Sequence, residues 1–373
     1  MQHFDVLILG AGIVGAACAM ECARAGLRVG VVEPRVPGGA ASAAGMGHVV
    51  VMDDSPAQLA LSRYGRELWQ KMRAALPDSV EYEQRGTLWV AADGEEMQEV
   101  YAKQATYTSI GVSSQVLDEK ALAQAEPELR KGLAGGLLVP EDAVVYPPAA
   151  ARYFLDEAIA LGAKLIRGVR PVEAAKGIVR LQDGSALSAG SIVIATGVDT
   201  SLVPWITVQP RKGHLVITDR YPGFVHHQLV ELGYLKSAHK LTADSVAFNV
   251  QPRQTGQLLI GSSRQYGDAE HDVDNKILKQ MIDRACEYMP RIRDLSAIRV
   301  WTGFRAATPN KLPLIGPTPD PTVFLAMGFE GLGITNSPAA ARLLADHLLQ
   351  RESAIDRDPF LPAHVFRGES AHA

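Results

Sequence analysis

One pattern near the N-terminus limits what this chain can fold into more than any other feature. Gly10, Gly12 and Gly15, spaced G-x-G-x-x-G, stand between an apolar run and a stretch of small residues. Val6–Leu9 is continuously apolar, as a strand buried on both faces is, and Ala16–Ala25 reads as a small-residue helix that Gly26 stops. "LRVGVVEP" then gives a second strand ending at Pro34. The chain therefore opens on a βαβ unit and predicts a parallel sheet covered by helices. In such a unit the first glycine permits the tight turn, the second lets the backbone approach a pyrophosphate, and the third lets helix pack on strand. The helix start offers N–H groups and the positive end of its dipole to the phosphates. Glu33 closes the second strand, the place from which a carboxylate accepts ribose hydroxyls.

The residues beyond the second strand distinguish the dinucleotides. A nicotinamide enzyme would continue into a plain doubly wound repeat. Here "GGAASAAGMGH" comes soon after Glu33, a run of small residues that leaves backbone close to something large and flat. That favours a flavin.

With 373 residues the chain suits about two domains. Residues 56–76 read as a helix. From "QRGTLWVAADGEE" the style changes to a strand, a polar helix near 95–111, and "DEKALAQAEPEL", which is interrupted by a proline. The first style returns at "YPPAAARYFLDEAIALGAKLI" and "SIVIATG". It gives way to "GHLVITD", "SVAFNVQPRQTGQLLIGSS" and an amphipathic helix near 274–289, then closes with "VFLAMGFEGLGITNSPAAARLLADHLLQ". The expectation is an α/β Rossmann-type domain from residues 1–80, 142–205 and 310–373. An α+β domain with a mainly antiparallel sheet, from 81–141 and 206–309, is inserted into it. No fixed-period repeat is present.

Composition narrows the function classes. Charged residues make up 21%, the formal net charge is -4, and no block of like charges occurs, which argues against a nucleic-acid or acidic-lipid surface. Three cysteines without paired His/Cys spacing argue against a disulfide framework and against a metal site. Cys18 and Cys22, one helical turn apart among alanines, read as buried small residues. The apolar N-terminus contains Asp5, lacks a basic leader region and falls short of the ~20 residues a membrane span needs. A cytoplasmic protein is expected, with a peripheral place at an inner membrane as the variant.

Several separate motifs together carry a family resemblance: "GAGIVG", "ASAAGMG", "IVIATGVDTS", "PRKGH", "GFRAATPNKLPLIGP" and "GFEGLGITNSP". The chain resembles, over nearly its whole length, the FAD-dependent D-amino-acid oxidase superfamily of glycine oxidase, sarcosine oxidase and D-amino-acid dehydrogenases. Through "SAAGMGHVVVMDDS" it is most similar to bacterial D-hydroxyproline dehydrogenases. The resemblance implies FAD held noncovalently by Gly10, Gly12, Ile13, Val14, Gly15, Glu33 and Pro34, with Ser42, Ala43, Ala44, Gly45 and Met46 along the flavin. It places Val172 at the adenine, and Ala195 and Gly197 near the diphosphate. Gly303, Arg305, Gly328, Gly331, Leu332, Gly333 and Ile334 come at the ring, where backbone N–H groups would stabilise the charge that reduction puts on the N1–O2 edge.

The same resemblance gives Arg305 a partner. A guanidinium is always charged and presents a planar fork of donors that matches a carboxylate. Trp301, Gly303 and Arg305 match the family's W-x-G-x-R segment, whose arginine clamps the substrate carboxylate above the flavin. The residues alone would allow an internal salt bridge instead. Relatives with "GHFRNG" add a second arginine where this chain has Glu330 and Gly331, so either Arg305 works alone or a further donor comes from Tyr266, Tyr234, Asn249, His239 or Arg253. His48 and Glu330 stand as candidates for contacting ring or substrate. The chemistry implied is hydride transfer from Cα of a small D-amino or cyclic imino acid to flavin N5, with no dedicated acid or base, and cis-4-hydroxy-D-proline as substrate. Alternatives are a glycine- or sarcosine-type oxidase, the flavin subunit of a heteromeric opine-type dehydrogenase, and a non-catalytic FAD-binding or electron-transfer subunit. Oxygen, a quinone and a partner protein all stay open as electron acceptor, as does a homo-oligomeric state.

Overall fold

The computed structural model describes residues 2–233, 244–267 and 270–366, which divide into two compact units. The first comprises residues 1–80, 145–210 and 304–373, the second 81–144 and 211–303. The last crossing thus falls at 303/304, inside the W-x-G-x-R segment, rather than at 309/310. One continuous strand, Ala297–Ala307, runs through that point, and no turn residue marks it in the sequence.

The first unit is built on the strand Gln2–Leu9, which lies parallel to Ala186–Ile194 on one side and to Val29–Glu33 on the other. The sheet extends to Lys164–Arg167 beyond Val29–Glu33, and to Val323–Met327 and Leu314–Pro317 beyond Ala186–Ile194. Leu7, Ile8 and Leu9 are fully buried, which is why their run is apolar without alternation. Helix Ile13–Arg24 packs against Pro147–Ala160 and Gly333–Leu348, and its buried face is mostly alanine, cysteine and glycine. Burial pushes both thiols up, Cys22 to about 12, so Cys18 and Cys22 sit as neutral packing groups.

The closing helix contains Pro338, which has no N–H to give the carbonyl of Ile334 four residues earlier. Two other donors take that carbonyl: Trp69 Nε1 and Ser337 Oγ, each at 3.0 Å. Trp69 belongs to helix Pro56–Met72, which comes so near that a Cβ on Gly65 would lie 2.4 Å from the Thr335 carbonyl oxygen. Trp69→Phe keeps most of the buried ring and removes the donor. Because Ser337 Oγ still serves that carbonyl, the expected cost is about 0.5–1.5 kcal/mol, read as a lower midpoint in denaturant unfolding with an unchanged slope.

The second unit's sheet has the strand order Ala297–Ala307, Gln209–Arg220, Gln257–Arg264, Ser245–Pro252, Gln228–Glu231, Thr87–Ala91, Gly135–Val139, Gln115–Asp118. Gln257–Arg264 runs antiparallel to both its neighbours, whereas Gln228–Glu231 runs parallel to Thr87–Ala91 and so stitches the unit's two chain segments together. One face is the core: Leu88, Val90, Leu229, Phe248, Val250, Leu258 and Ile260 pack with Met281 and Ala285 of helix Asn275–Tyr288. That helix starts where the sequence placed it, because the Asp274 carboxylate accepts from the amides of Lys276 and Ile277.

Candidate functional site

In the first unit the three N-terminal glycines are not equivalent. Gly10 has φ +106°, and a Cβ there would lie 2.5 Å from the Ala195 carbonyl oxygen; one on Gly15 would lie 2.0 Å from that of Gly10. Both are dictated by the protein's own backbone. At Gly12 a Cβ would meet, among the described residues, Ser42 Oγ at 3.4 Å and nothing nearer. The missing side chain at Gly12 therefore leaves open space beside the start of helix Ile13–Arg24, which fits a phosphate-bearing ligand held by backbone.

The surrounding groups complete that cradle. Ser42 Oγ accepts from the Ile13 amide at 2.9 Å, so this N–H is not left for a ligand, while the hydroxyl keeps its own proton to donate. Val14 and Gly15, the next amides, have no acceptor within the helix by the geometry of any helix start. Glu33 accepts from the Ala11 amide through Oε2 and from the Arg35 amide through Oε1, both at 2.8 Å, which fixes its carboxylate between the glycine turn and the residue after Pro34. The Ala195 amide donates to Leu9, tying the end of one strand to the next, and Gly197 comes two residues later with φ +66°. Val172, 53% exposed, lines an open cavity of about 360 Å³ with Arg170, Pro171, Gln182 and Ser201.

A second strand-to-helix turn lies at residues 328–334. Gly328, at φ +80°, again answers to the protein, since a Cβ would lie 2.4 Å from Thr308 Cγ2. Gly331 and Gly333 do not: the nearest atoms would be Arg305 Nε at 3.6 Å and Phe329 Cβ at 3.4 Å. Like Gly12, both leave room beside backbone. Glu330 takes φ +51°, unusual for a side-chain-bearing residue, and its carboxylate accepts from the Gly331 amide at 3.1 Å. That amide is thus engaged locally rather than presented to a ring, and the donors of this turn are those at the head of helix Gly333–Leu348. The Glu330 amide donates to the Ala306 carbonyl at 2.9 Å, an isolated bridge that lays Arg305's strand alongside the loop.

Ala43, Ala44 and Gly45 continue from Ser42 through the short helix Ala40–Ala44, and Met46 is buried. A Cβ on Gly45 would reach Ile334 Cδ1 at 2.9 Å. Sequence reasoning passed over Thr335, which joins the two stretches: its hydroxyl donates to the His48 carbonyl at 2.9 Å and accepts from the Val50 amide at 3.2 Å. Three polar residues, Thr335–Ser337, at the head of an otherwise apolar helix were the available signal.

The remaining donor candidates separate. Arg253 is bound to Glu81 at 3.0 Å through Nε and again through Nη2, both residues lying in the second unit, so its guanidinium is engaged there with a carboxylate of the protein. Tyr266 OH accepts from Arg211 Nη1 at 2.8 Å, also within the second unit. Asn249 lies on Ser245–Pro252 there and is buried. Tyr234 and His239 fall outside the described residues. Among the described residues no group of three metal-ligating side chains occurs, and no helix is long and apolar enough to cross a membrane.

Comparison with known proteins places this geometry. A family model described as DAO, FAD dependent oxidoreductase, matches residues 5–347. The glycine oxidase of Geobacillus kaustophilus is 27% identical over 384 residues, spanning 98% of each chain. The crystal structure of glycine oxidase from that organism superposes with a TM-score of 0.86 at 25% identity, covering 97% of this chain and 98% of that one. The bifunctional protein ThiO/ThiG of a Nostoc species is 28% identical over 376 residues, 96% of this chain and 54% of that protein, so the chain spans about half of that relative's length. In fold, an L-proline dehydrogenase from P. horikoshii has a TM-score of 0.88 at 22% identity, covering 99% of both chains.

Proposed function

The chain belongs to the DAO family of FAD-dependent oxidoreductases, and from this premise we propose that it dehydrogenates a small D-amino or cyclic imino acid, cis-4-hydroxy-D-proline foremost. The first unit is the FAD-binding one and the second the substrate-binding one. Bound FAD supplies the hydride acceptor for the Cα–H of the substrate. The observation that carries the reading is the placing of Arg305: its strand is bridged to the 328–334 turn, and its Nε would lie 3.6 Å from a Cβ on Gly331. A fixed cation beside a turn that leaves room for a flat group is what holding a carboxylate next to a flavin requires.

The chain's own residues then have defined tasks. Gly12, Ser42 and the head of helix Ile13–Arg24 hold the diphosphate, Glu33 the ribose, and Val172 the adenine end. Gly333, Ile334 and the helix they begin direct N–H groups and a positive dipole end at the ring, favouring its reduced, anionic state. Arg305 orients the acid, and the substrate's amine nitrogen supports the developing iminium. The imine product leaves and hydrolyses or cyclises in water. FAD is held noncovalently, since of cysteine and histidine only His48 falls in the run 42–48.

Similarity to glycine oxidases supports a second reading, oxidation of glycine or sarcosine. One titration decides between them. Under anaerobic conditions the oxidised flavin spectrum is expected to bleach on adding a D-imino acid and to respond far less to glycine or sarcosine. Bleaching by glycine at lower concentration would establish the second reading, and bleaching by none would remove both. Reoxidation by oxygen against an artificial dye reads the acceptor.

A further inference from the structure

Helix Gly333–Leu348 begins with three amides that its own backbone leaves without an acceptor. The first bond of its ladder runs from the Asn336 amide to the Leu332 carbonyl at 2.9 Å, so the amides of Gly333, Ile334 and Thr335 lie ahead of it. On the reading above, those of Gly333 and Ile334 face the flavin ring. A hydrogen bond to developing charge weakens with small errors in distance and angle. Whatever fixes this helix head against the flavin-lining run 42–48 therefore sets how well that charge is stabilised.

Two contacts fix it, and both lie in the first unit. At Gly45 the run meets Ile334 so closely that an added Cβ would lie 2.9 Å from Ile334 Cδ1. Farther along, the Thr335 hydroxyl stands where the backbone of a neighbouring strand would. It donates to the His48 carbonyl at 2.9 Å and accepts from the Val50 amide at 3.2 Å, on a residue 0% exposed. A carbonyl and the amide two residues later point to the same side of an extended segment, so one hydroxyl serves both. Burial alone asks only for an apolar side chain, and valine has the same shape; the tie is what asks for the hydroxyl. At the start of the run, Ser42 Oγ accepts from the Ile13 amide at the head of helix Ile13–Arg24. Thr335 thus closes a chain of bonds between the two helix heads assigned to the phosphates and to the ring.

Resting on that placing of the ring, we propose that Thr335 is a positioning residue: it holds the Gly333 and Ile334 amides at the N1–O2 edge and so raises the reduction potential of bound FAD. Its hydroxyl is spent on the two backbone groups of the run, and it acts on the flavin through the helix head.

The test uses the full-length, FAD-loaded protein and reads the midpoint potential of its flavin by dye-coupled reductive titration, with no substrate present. Thr335→Val keeps the shape and removes the hydroxyl. Oxidised FAD should stay bound, while the preference for reduced over oxidised FAD falls by about 10-fold, a potential lower by ~30 mV for a two-electron couple. Thr335→Ser restores the hydroxyl and should return that preference to within about 2-fold of the wild type. Trp69→Phe loosens the same helix turn at the Ile334 carbonyl without touching the run, so it should lower stability yet move the preference by no more than about 2-fold. Thr335→Ala, which turns no methyl toward the two backbone groups, carries the comparison if Thr335→Val does not fold. A hydroxyl that only supports the fold would lower the thermal midpoint and leave the potential unmoved. That result, or equal shifts in Thr335→Val and Trp69→Phe, would overturn the proposal. The expected shift in a protein whose flavin no amino or imino acid reduces would support this role and sink the oxidative reading.

Discussion

Arg305→Ala is expected to purify yellow and to lose most of its turnover. Removing one partner of a desolvated, hydrogen-bonded charge pair costs about 2–5 kcal/mol, which corresponds to a fall in kcat/KM of roughly 10² to 10⁴. The flavin should stay bound because the groups proposed to hold its phosphates and ribose, at Gly12, Ser42 and Glu33, lie elsewhere in the first unit. Arg305→Lys keeps the charge and loses the bidentate fork, so it should recover only part of the rate. Steady-state kinetics and the visible spectrum of the same preparation separate the two effects. An Arg305→Ala enzyme that turns over normally would assign the guanidinium to an internal structural role. Restoration of turnover by added guanidinium ion would place the charge itself at the substrate.

A single methyl group should have opposite consequences at two neighbouring glycines. In Gly15→Ala the new carbon would fall 2.0 Å from the Gly10 carbonyl oxygen, a backbone contact with no flexible side chain to move aside. The turn or the helix must shift, and loss of soluble, folded protein is the expected outcome. In Gly12→Ala the nearest described atom is Ser42 Oγ at 3.4 Å, so the polypeptide should fold. The methyl then occupies the space proposed for the pyrophosphate, and FAD affinity should fall by at least ~100-fold. Circular dichroism reports the fold, and the ratio of flavin to protein absorbance after dialysis against FAD reports the affinity. A Gly12→Ala protein that retains a full complement of flavin would exclude the cradle assigned to this turn.

Much of the first unit could be read directly because its rules are local. Burial of Leu7–Leu9 on both faces leaves an unbroken apolar run, the tight turn demands Gly10, and helix packing demands Gly15. The changes from small-residue βα style to alternating strands suggest crossings at 141/142 and 205/206, whereas the compact units change at 144/145 and 210/211. The features that stayed hidden depend on residues far apart in the chain. Nothing near Arg253 announces that Glu81 will bind it, and nothing near Gln228 announces Thr87 and Asp142. The parallel pairing of Gln228–Glu231 with Thr87–Ala91 is of the same kind, since a register between distant segments has no neighbouring-residue signature. The crossing at 303/304 lay hidden because a strand spans it. Gly331 shows a subtler limit: its glycine identity suggested a free amide, whereas that N–H donates a hydrogen bond to the Glu330 carboxylate beside it.

The first unit's sheet draws its strands from three separated stretches of chain, and Val323–Met327 and helix Gly333–Leu348 come from the last of them. During synthesis on the ribosome the opening strand and its glycine turn emerge early, yet the sheet cannot be finished until Val323–Met327 has left the exit tunnel, and the helix Gly333–Leu348 follows later still. Until that strand emerges, Ile192–Ile194, the end of Ala186–Ile194 not covered by Ile178–Leu181, lack their partner in it and stay available to chaperones or to aggregation. Cofactor loading is thereby postponed to the end of translation, so messages truncated before that helix should yield colourless, insoluble chains rather than partly active ones.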